Sequence, residues 1–287
     1  MVDGTGAQPP VNEVVLSVAM VPQPTLIGPR IPEIFGPWYV EHQNVQVVQP
    51  YMMPIEQDPA IGPAVPPGST LNFTSVIESR YWLNSEDGAE VVQVQPDYLA
   101  LNWKRTAPDQ EYPHFAALRE RFASLTTSAS EGLQKFGGTV GPVRAELTYI
   151  NLIEPNSLWG NLSEVHRILN VSSGLVEDYE QFSFATSLPI RDERDFHGRL
   201  HVTIQPSFDW LKAEPRIHLN ITARSLNFPT SSCERAFSFF DRAHTVANRA
   251  FRNILTAEAR EIWGSDEHSH GADLGGRQGY GPLYPDR

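Results

Sequence analysis

The chain has very little cysteine and no long apolar run. Cys233 is its single cysteine, so no disulfide can form within the chain, as is typical of proteins in a reducing compartment. No apolar stretch reaches the roughly 20 residues that a bilayer-spanning helix needs. No basic segment followed by an apolar run opens the sequence, so no signal peptide is predicted. We therefore expect a cytoplasmic protein that does not associate with membranes.

Positive charge is also scarce. The sequence has 22 lysines and arginines against 34 aspartates and glutamates, a formal net charge of −12 at pH 7. Nucleic acids and anionic membranes bind proteins through basic surfaces. The composition therefore argues against general nucleic-acid binding, although a local basic patch is compatible with it.

Apolar segments punctuated by proline and glycine predict an α+β fold of antiparallel sheets with packed helices. Residues 1–10 read as a flexible N-terminal tail, and 265–287 as a disordered C-terminal tail. Between them, 11–155 form an N-terminal α+β half with a proline-rich loop at 50–69, and 156–264 form a C-terminal half. The patterns predict strands at 14–20, 45–48, 74–84, 90–95, 98–104, 143–153, 180–188, 198–205 and 216–226, and helices at 31–35, 114–136 and 162–169.

A long amphipathic helix is predicted to close the C-terminal half. Small and aromatic residues recur at steps of three and four, and the helix is roughly 28 residues long. Ser231 and Glu234 have the spacing of a capping box at its start, and Gly264 stands at its end. The apolar stripe consists of Ala236, Phe240, Ala243, Ala247, Ala250 and Ile254.

A short internal echo links the two halves. Residues 94–98 (VQPDY) resemble residues 204–208 (IQPSF), and each segment is followed by a strand and then an amphipathic helix. Two related halves, each a strand meander with a packed helix, would explain the echo. Chance would explain five residues equally well.

The sequence contains none of the common catalytic motifs. It has no glycine-rich phosphate loop after a strand and no Gly-x-Ser-x-Gly elbow. We interpret Cys233 as a structural thiol. A group of metal-ligating residues lies in the C-terminal tail, where no supporting structure is expected, so we predict no metal site and no cofactor. This group consists of Asp266, Glu267, His268, His270 and Asp273.

A polar stripe on the last helix is the candidate site for a partner. Asp241, His244, Asn248 and Arg252 follow one another at steps of three and four, which places them on one helical face. Such a stripe is either a solvated edge or a strip that binds a protein partner. We take it as the candidate partner-binding site and assign no catalytic residues.

Several histidines are dispersed over the chain, and linear sequence does not show whether they converge. A hydrolase-like enzyme would need some of them to meet a carboxylate in one concave site. The candidates are His114, His166, His197, His201, His218 and His244.

The pattern as a whole resembles the sporadically distributed family of uncharacterised prokaryotic proteins. The segments that carry the resemblance are 12–15 (NEVV), 80–85 (RYWLNS), 92–103 (VQVQPDYLALNW), 147–151 (LTYIN) and 243–264, with its Ala-His start and Trp-Gly end. The family has no established activity, so no site residues are carried over. Sporadic distribution is typical of mobile or defence-associated genes, and the resemblance therefore implies an interaction role.

These observations lead to three hypotheses about function. The first is a non-enzymatic cytoplasmic protein that binds a protein partner or a second copy of itself, as a regulatory, antitoxin-like or defence component. The second is an enzyme with a site assembled from dispersed histidines and carboxylates. The third is a sensor that binds a small ligand in a cavity between sheet and helix.

Overall fold

The computed structural model describes residues 9–58, 79–171, 182–192 and 195–263. In these residues nine strands form one antiparallel sheet, with the spatial order β2-β3-β4-β5-β1-β6-β9-β8-β7. The strands are β1 (Val11–Met20), β2 (Asn44–Val48), β3 (Arg80–Asn84), β4 (Glu90–Gln95), β5 (Tyr98–Lys104), β6 (Pro142–Ile153), β7 (Phe184–Asp192), β8 (Asp195–Asp209) and β9 (Glu214–Ser225).

Within the described ranges, two long helices and three short ones accompany the sheet, which confirms the predicted α+β class. They are α1 (Ile31–Phe35), α2 (Pro37–Glu41), α3 (His114–Gln134), α4 (Cys233–Ile254) and α5 (Ala257–Ile262), and 3₁₀ turns form at Gly28–Arg30 and Leu162–Arg167. In the described part of the chain, no helix combines the length and the apolar character needed to cross a membrane.

The order of elements repeats along the chain. A first strand (β1 or β6) precedes a meander of three strands (β3 to β5 or β7 to β9), and a long helix follows (α3 or α4). In each half the first strand pairs with the last strand of the meander, and β1 pairs with β6 at the centre of the sheet. The five-residue echo does not mark equivalent turns. Pro96 lies between β4 and β5, whereas Pro206 lies inside β8 opposite Ile217.

One face of the sheet packs against the two long helices. Along β1 the buried Val14, Leu16 and Val18 alternate with side chains that point to the other face. They belong to the same core cluster as Phe122 of α3 and Phe240 of α4, whose rings meet edge to face. Alternation therefore divides the sheet into an apolar face under the helices and an opposite face, which is largely polar.

The predicted stripe of α4 is buried from Ala236 to Ala250, and Ile254 at its end is half-buried. The N-cap lies one residue later than predicted. Ser232, not Ser231, is the N-cap, and its hydroxyl accepts a hydrogen bond from the Arg235 amide at 3.2 Å. Alanines at the buried positions let the helix approach the sheet closely, and it contacts β6 and β9 most.

The prediction of one continuous helix up to Gly264 was wrong. α4 ends at Ile254, and Leu255 adopts an extended conformation that forms a β-bridge with Leu169. Thr256 then caps α5, because its hydroxyl accepts from the Ala259 amide and donates to the Arg167 carbonyl. Leu169 and Arg167, which contact Leu255 and Thr256, lie about 90 positions earlier in the chain. Helical periodicity alone could therefore not reveal the break.

Close packing of α1 on α3 depends on Gly132. A methyl group at this buried position would lie 2.0 Å from the carbonyl oxygen of Ile34. Gly132→Ala should therefore lower the free energy of unfolding by about 1–3 kcal/mol, although the same change in an exposed helix stabilises by about 1 kcal/mol. Urea denaturation measures the effect.

Thr127→Ala is the matched control, since Thr127 is exposed on the same helix. It should leave stability unchanged or raise it slightly, because alanine has the higher helix propensity. A Gly132→Ala protein as stable as the wild type would contradict the close contact.

Candidate functional site

A cavity of about 420 Å³ lies between the helices and the apolar face of the sheet. We call it the helix-side cavity. It is bounded by the start of α3, the middle of α4 and the strands β1, β6 and β9. Its apolar wall includes Val11, Phe115, Ala116, Ile221, Ala247 and Phe251, and its polar groups come from Tyr112, His114, Tyr149, Asn151, His244 and Asn248.

His244 is at the centre of the polar groups. Its Nδ1 lies 2.7 Å from the Tyr149 hydroxyl, and the Asn248 side-chain nitrogen lies 3.1 Å from its Nε2. The imidazole also stacks on the Phe115 ring with 4.1 Å between centroids. These contacts hold the ring in one orientation, so the cavity has a fixed polar wall.

Tyr149 stays a neutral hydroxyl in this setting. It projects from β6 on the same face as Val14 and Ile221, its cross-strand neighbours. Burial raises the pKa of Tyr149 well above its ordinary value, and hydrogen bonding to Tyr112 raises it further. The phenol therefore exchanges hydrogen bonds without acquiring charge near neutral pH.

His114 is held in an uncommon backbone conformation where it lines the cavity. Its φ is 63°, in the left-handed region that residues other than glycine seldom adopt. Such conformations persist only where the surrounding structure imposes them, and they cluster at functional sites. This outlier supports treating the cavity as the candidate site.

The dispersed histidines meet only in part. His114 and His244 line the helix-side cavity, whose lining contains no aspartate, glutamate, lysine or arginine among the described residues. The other four lie elsewhere: His166 is exposed, His197 lines a second pocket beside α4, His201 contacts Glu56 on the opposite face, and His218 lies on β9 opposite Gln205. The histidine–carboxylate site that an enzyme hypothesis requires is therefore not assembled at this cavity.

The four residues of the predicted partner strip have separate surroundings. Asp241 forms a two-point ion pair with Arg119 of α3, at 2.6 and 2.9 Å. His244 and Asn248 line the cavity beneath the helix, and Arg252 is exposed. The strip therefore does not present four free side chains on one surface. That it binds a partner stays a prediction.

The remaining candidate chemistry is modest. Burial raises the pKa of the Cys233 thiol, which makes the reactive thiolate scarcer. Among the residues that the structure describes, no three histidine, cysteine, aspartate or glutamate side chains could together hold a metal ion. The tail group from Asp266 to Asp273 lies outside the described residues.

The opposite side of the sheet, which we call the polar face, carries a hydrogen-bonded chain that sequence reasoning missed. Arg80 and the Trp82 indole both donate to the Gln93 amide oxygen, at 2.9 and 3.2 Å. The Gln93 amide donates to Asn102 at 2.7 Å, and Asn102 donates to the Glu13 carboxylate. Every hydrogen bond in this series is donated in the direction from Arg80 toward Glu13. The series therefore links a cation to an anion across four strands.

The sequence contains a pattern that indicates this hydrogen-bonded series of side chains. Within 80–104, polar residues alternate with the buried Leu83, Val92, Val94 and Leu101. Gln93 and Asn102 are themselves buried, and buried amides are normally hydrogen-bonded. Alternation indicates that they face away from the core, but it does not identify their partners on the neighbouring strands.

Residues 51–58, which we call the strap, cross the polar face. The backbone of Tyr51 exchanges two hydrogen bonds with the Gln95 amide on β4, at 2.9 and 3.0 Å. Met53 packs against Ala19 and Tyr98 near the centre of the sheet. At its far end, Glu56 reaches β8 and β9.

Glu56 of the strap contacts three side chains of the sheet. Its carboxylate accepts from His201 at 2.6 Å and from Arg199 and Arg224 at 3.0 Å each. Burial alone would raise the pKa of Glu56, but the hydrogen bonds from His201 and Arg199 and the charge of Arg224 lower it from 4.5 to about 2. Glu56 is therefore ionised throughout the physiological range.

Comparisons with family models, with curated proteins and with solved structures give no match to this chain. The resemblance to the sporadically distributed prokaryotic family stays a prediction. The function is accordingly argued from the geometry of the cavity and of the polar face.

The lowered pKa of Glu56 predicts how stability depends on pH. A carboxylate that titrates at about 2 when folded and 4.5 when unfolded contributes stability above pH 4.5 and loses it as the pH falls toward 2. Glu56→Gln should lower the free energy of unfolding by about 3 kcal/mol at pH 7. The difference from wild type should shrink steadily between pH 4.5 and 2, as measured by urea denaturation.

Glu154→Gln is the control, because Glu154 pairs with Arg216 and Lys212 on the surface and is half exposed. Exposed pairs contribute about 0–1 kcal/mol, so its effect should be small. If the Glu56→Gln deficit stays constant down to pH 2, the ionised Glu56 is not the source of the stability.

Proposed function

We propose that this protein binds an uncharged, mainly apolar small molecule in the helix-side cavity and acts as a ligand sensor. The observation that carries the proposal is a cavity of about 420 Å³ in which several polar side chains converge on one wall. Ligand sites are typically clefts of roughly 300–1,000 Å³ with apolar walls and a few fixed polar groups.

The lining indicates the chemistry of the ligand. Phe115 and Phe251 provide aromatic surface, and Tyr149, His244 and Asn248 provide hydrogen bonds. A charged ligand would lose its hydration without gaining an ionic partner, since the described lining has no charged residue. A flat, neutral molecule with one or two hydrogen-bonding groups fits these constraints.

The position of the cavity supports a sensing role. Its wall includes residues of both α3 and α4, and these helices are also joined at the surface by the Arg119–Asp241 ion pair. A ligand that contacts both helices would stabilise one arrangement of them over others. Through such a change in the arrangement of its helices, a sensor alters its binding to a partner.

Two neighbouring alanines of α3 allow a matched test. Ala116 lines the cavity, whereas Ala117 is equally exposed but does not line it. Ala116→Leu should weaken binding of the neutral fluorophore N-phenylnaphthylamine by about tenfold, because the added side chain enters the cavity. Ala117→Leu should bind it as the wild type does.

Fluorescence titration measures both affinities, and native mass spectrometry of the purified protein tests for a retained metabolite. Ala247→Leu fills the cavity from α4 and should have the same effect as Ala116→Leu. Equal binding by all these variants, or no binding by the wild type, would refute the proposal.

A protein-binding role is favoured independently by the hairpin that joins β8 and β9. Trp210 and Leu211 at its tip are 85% and 99% exposed. Asp209 accepts from the Leu211 amide at 2.9 Å and pairs with Arg216, and Phe208 contacts the Trp210 ring. A rigid exposed tryptophan loses little entropy on binding, and tryptophan is enriched among the residues that dominate protein interfaces.

The double variant Trp210→Ser/Leu211→Ser tests this second role. We expect it to lose a stoichiometric partner, or self-association in sedimentation, with no loss of thermal stability. Val47→Ser is the control, since Val47 is also exposed but lies on the edge strand β2. A wild-type protein that stays monomeric and partner-free at all concentrations would exclude the role.

A further inference from the structure

The sheet by itself places three hydrogen-bond donors, two arginines and a histidine, close together on the polar face. Arg199 and His201 alternate along β8, and Arg224 of β9 lies directly opposite Arg199. Like charges placed directly opposite across two strands repel each other. The two arginines therefore need an anion between them.

Among the described residues of the sheet, a carboxylate partner is found for Arg224 but not for Arg199. Glu146 lies opposite Arg224 on β6 and accepts from its Nε at 2.6 Å. This contact orients the Arg224 guanidinium and leaves its Nη1 for a second anion. Without the strap, the group of Arg199, Arg224 and Glu146 has a net charge of +1, and His201 lies beside it.

Glu56 supplies that second anion. One carboxylate oxygen accepts from His201 and Arg224, and the other accepts from Arg199. Three donors around two oxygens match the planar shape of a carboxylate. Arg199 and Glu56 are nearly fully buried, so the contact is shielded from water.

The strap that carries Glu56 is held to the sheet by side chains. It contains no helix or strand, and no backbone-to-backbone hydrogen bond joins it to the rest of the described chain. Its backbone groups contact Gln95, Arg144 and Arg199 side chains instead. Segments held in this way open at a lower free energy than the strands beneath them.

Opening of the strap would leave Arg199 without its carboxylate partner, whereas Arg224 would keep Glu146. An uncompensated buried charge is strongly destabilising, whereas the exchange of one carboxylate for another preserves the pairing. Once Glu56 has left, Arg199, His201 and Arg224 therefore favour binding of a carboxylate from another molecule.

We propose that Arg199, His201 and Arg224 form a carboxylate-binding site, which Glu56 occupies from within the same chain and from which a ligand carboxylate displaces it. The strap then acts as an intramolecular competitor for the site. It is displaced when the local concentration of the ligand carboxylate is high enough. This site is separate from the helix-side cavity, because it lies on the other face of the sheet.

Removal of the internal competitor is the direct test. A capped tripeptide, acetyl-Gly-Glu-Gly-amide, is titrated into wild type and Glu56→Ala by calorimetry. The variant should bind it about tenfold more tightly or better, since a tethered group competes at a high effective concentration. Glu154→Ala changes the net charge equally and should bind as the wild type does.

Titrations with further probes identify the source of the carboxylate. Acetate that binds Glu56→Ala as well as the peptide does would indicate a free small carboxylate. Binding of the peptide alone would indicate a side chain of a partner protein. The corresponding glutamine peptide should not bind, and the double variant Glu56→Ala/Arg199→Met should lose binding of both probes.

Hydrogen exchange of the wild type keeps the test independent of the stability of the variants. The glutamate peptide should raise the exchange rate of amides in 51–58, and the glutamine peptide should not. The proposal is overturned if folded Glu56→Ala binds neither probe. It is also overturned if saturating glutamate peptide leaves exchange in the strap unchanged.

Discussion

The pairing of β1 with β6 is the contact on which the rest of the structure depends. These two strands begin the two halves of the chain, and each also pairs with the last strand of its own meander. Their register is regular from Glu13 to Ala19, where Leu16 faces Leu147 and Val14 faces Tyr149, and it makes one sheet out of two units. Since a shift of one residue would turn every apolar side chain to the wrong face, this register also fixes the core.

Both faces of the sheet follow from that register, and they are covered in different ways. The apolar face is buried under α3 and α4 mainly through hydrophobic contacts, in which alanines and phenylalanines of the helices take part. The polar face is crossed by the strap, which satisfies buried amides and charges through hydrogen bonds. Hydrophobic contacts under the helices are not directional. The hydrogen bonds of the strap, by contrast, require particular donors and acceptors on the sheet.

This division places the two proposed sites in different chemical settings. The helix-side cavity has neutral polar groups and apolar walls, so it suits an uncharged molecule. The site around Arg199 and Arg224 has two guanidinium groups that converge on one carboxylate, so it suits a carboxylate ligand. The described lining of the helix-side cavity has two histidines and no carboxylate, whereas the polar-face site has one histidine, His201, hydrogen-bonded to Glu56.

Periodicity and turn chemistry in the sequence were enough to determine the α+β class, most strands and the buried stripe of α4. Those features depend on residues close together in the chain, where a period of two or of 3.6 is visible. The break at Leu255 and the ion pairs of Glu56 depend on partners about 90 and more than 140 residues away. His244 illustrates the same limit, because the stripe placed it on a polar face, whereas Phe115 and Tyr149 made it part of a cavity wall. Only the tertiary structure decided these contacts, since no local pattern encodes which distant strand or helix a side chain will meet.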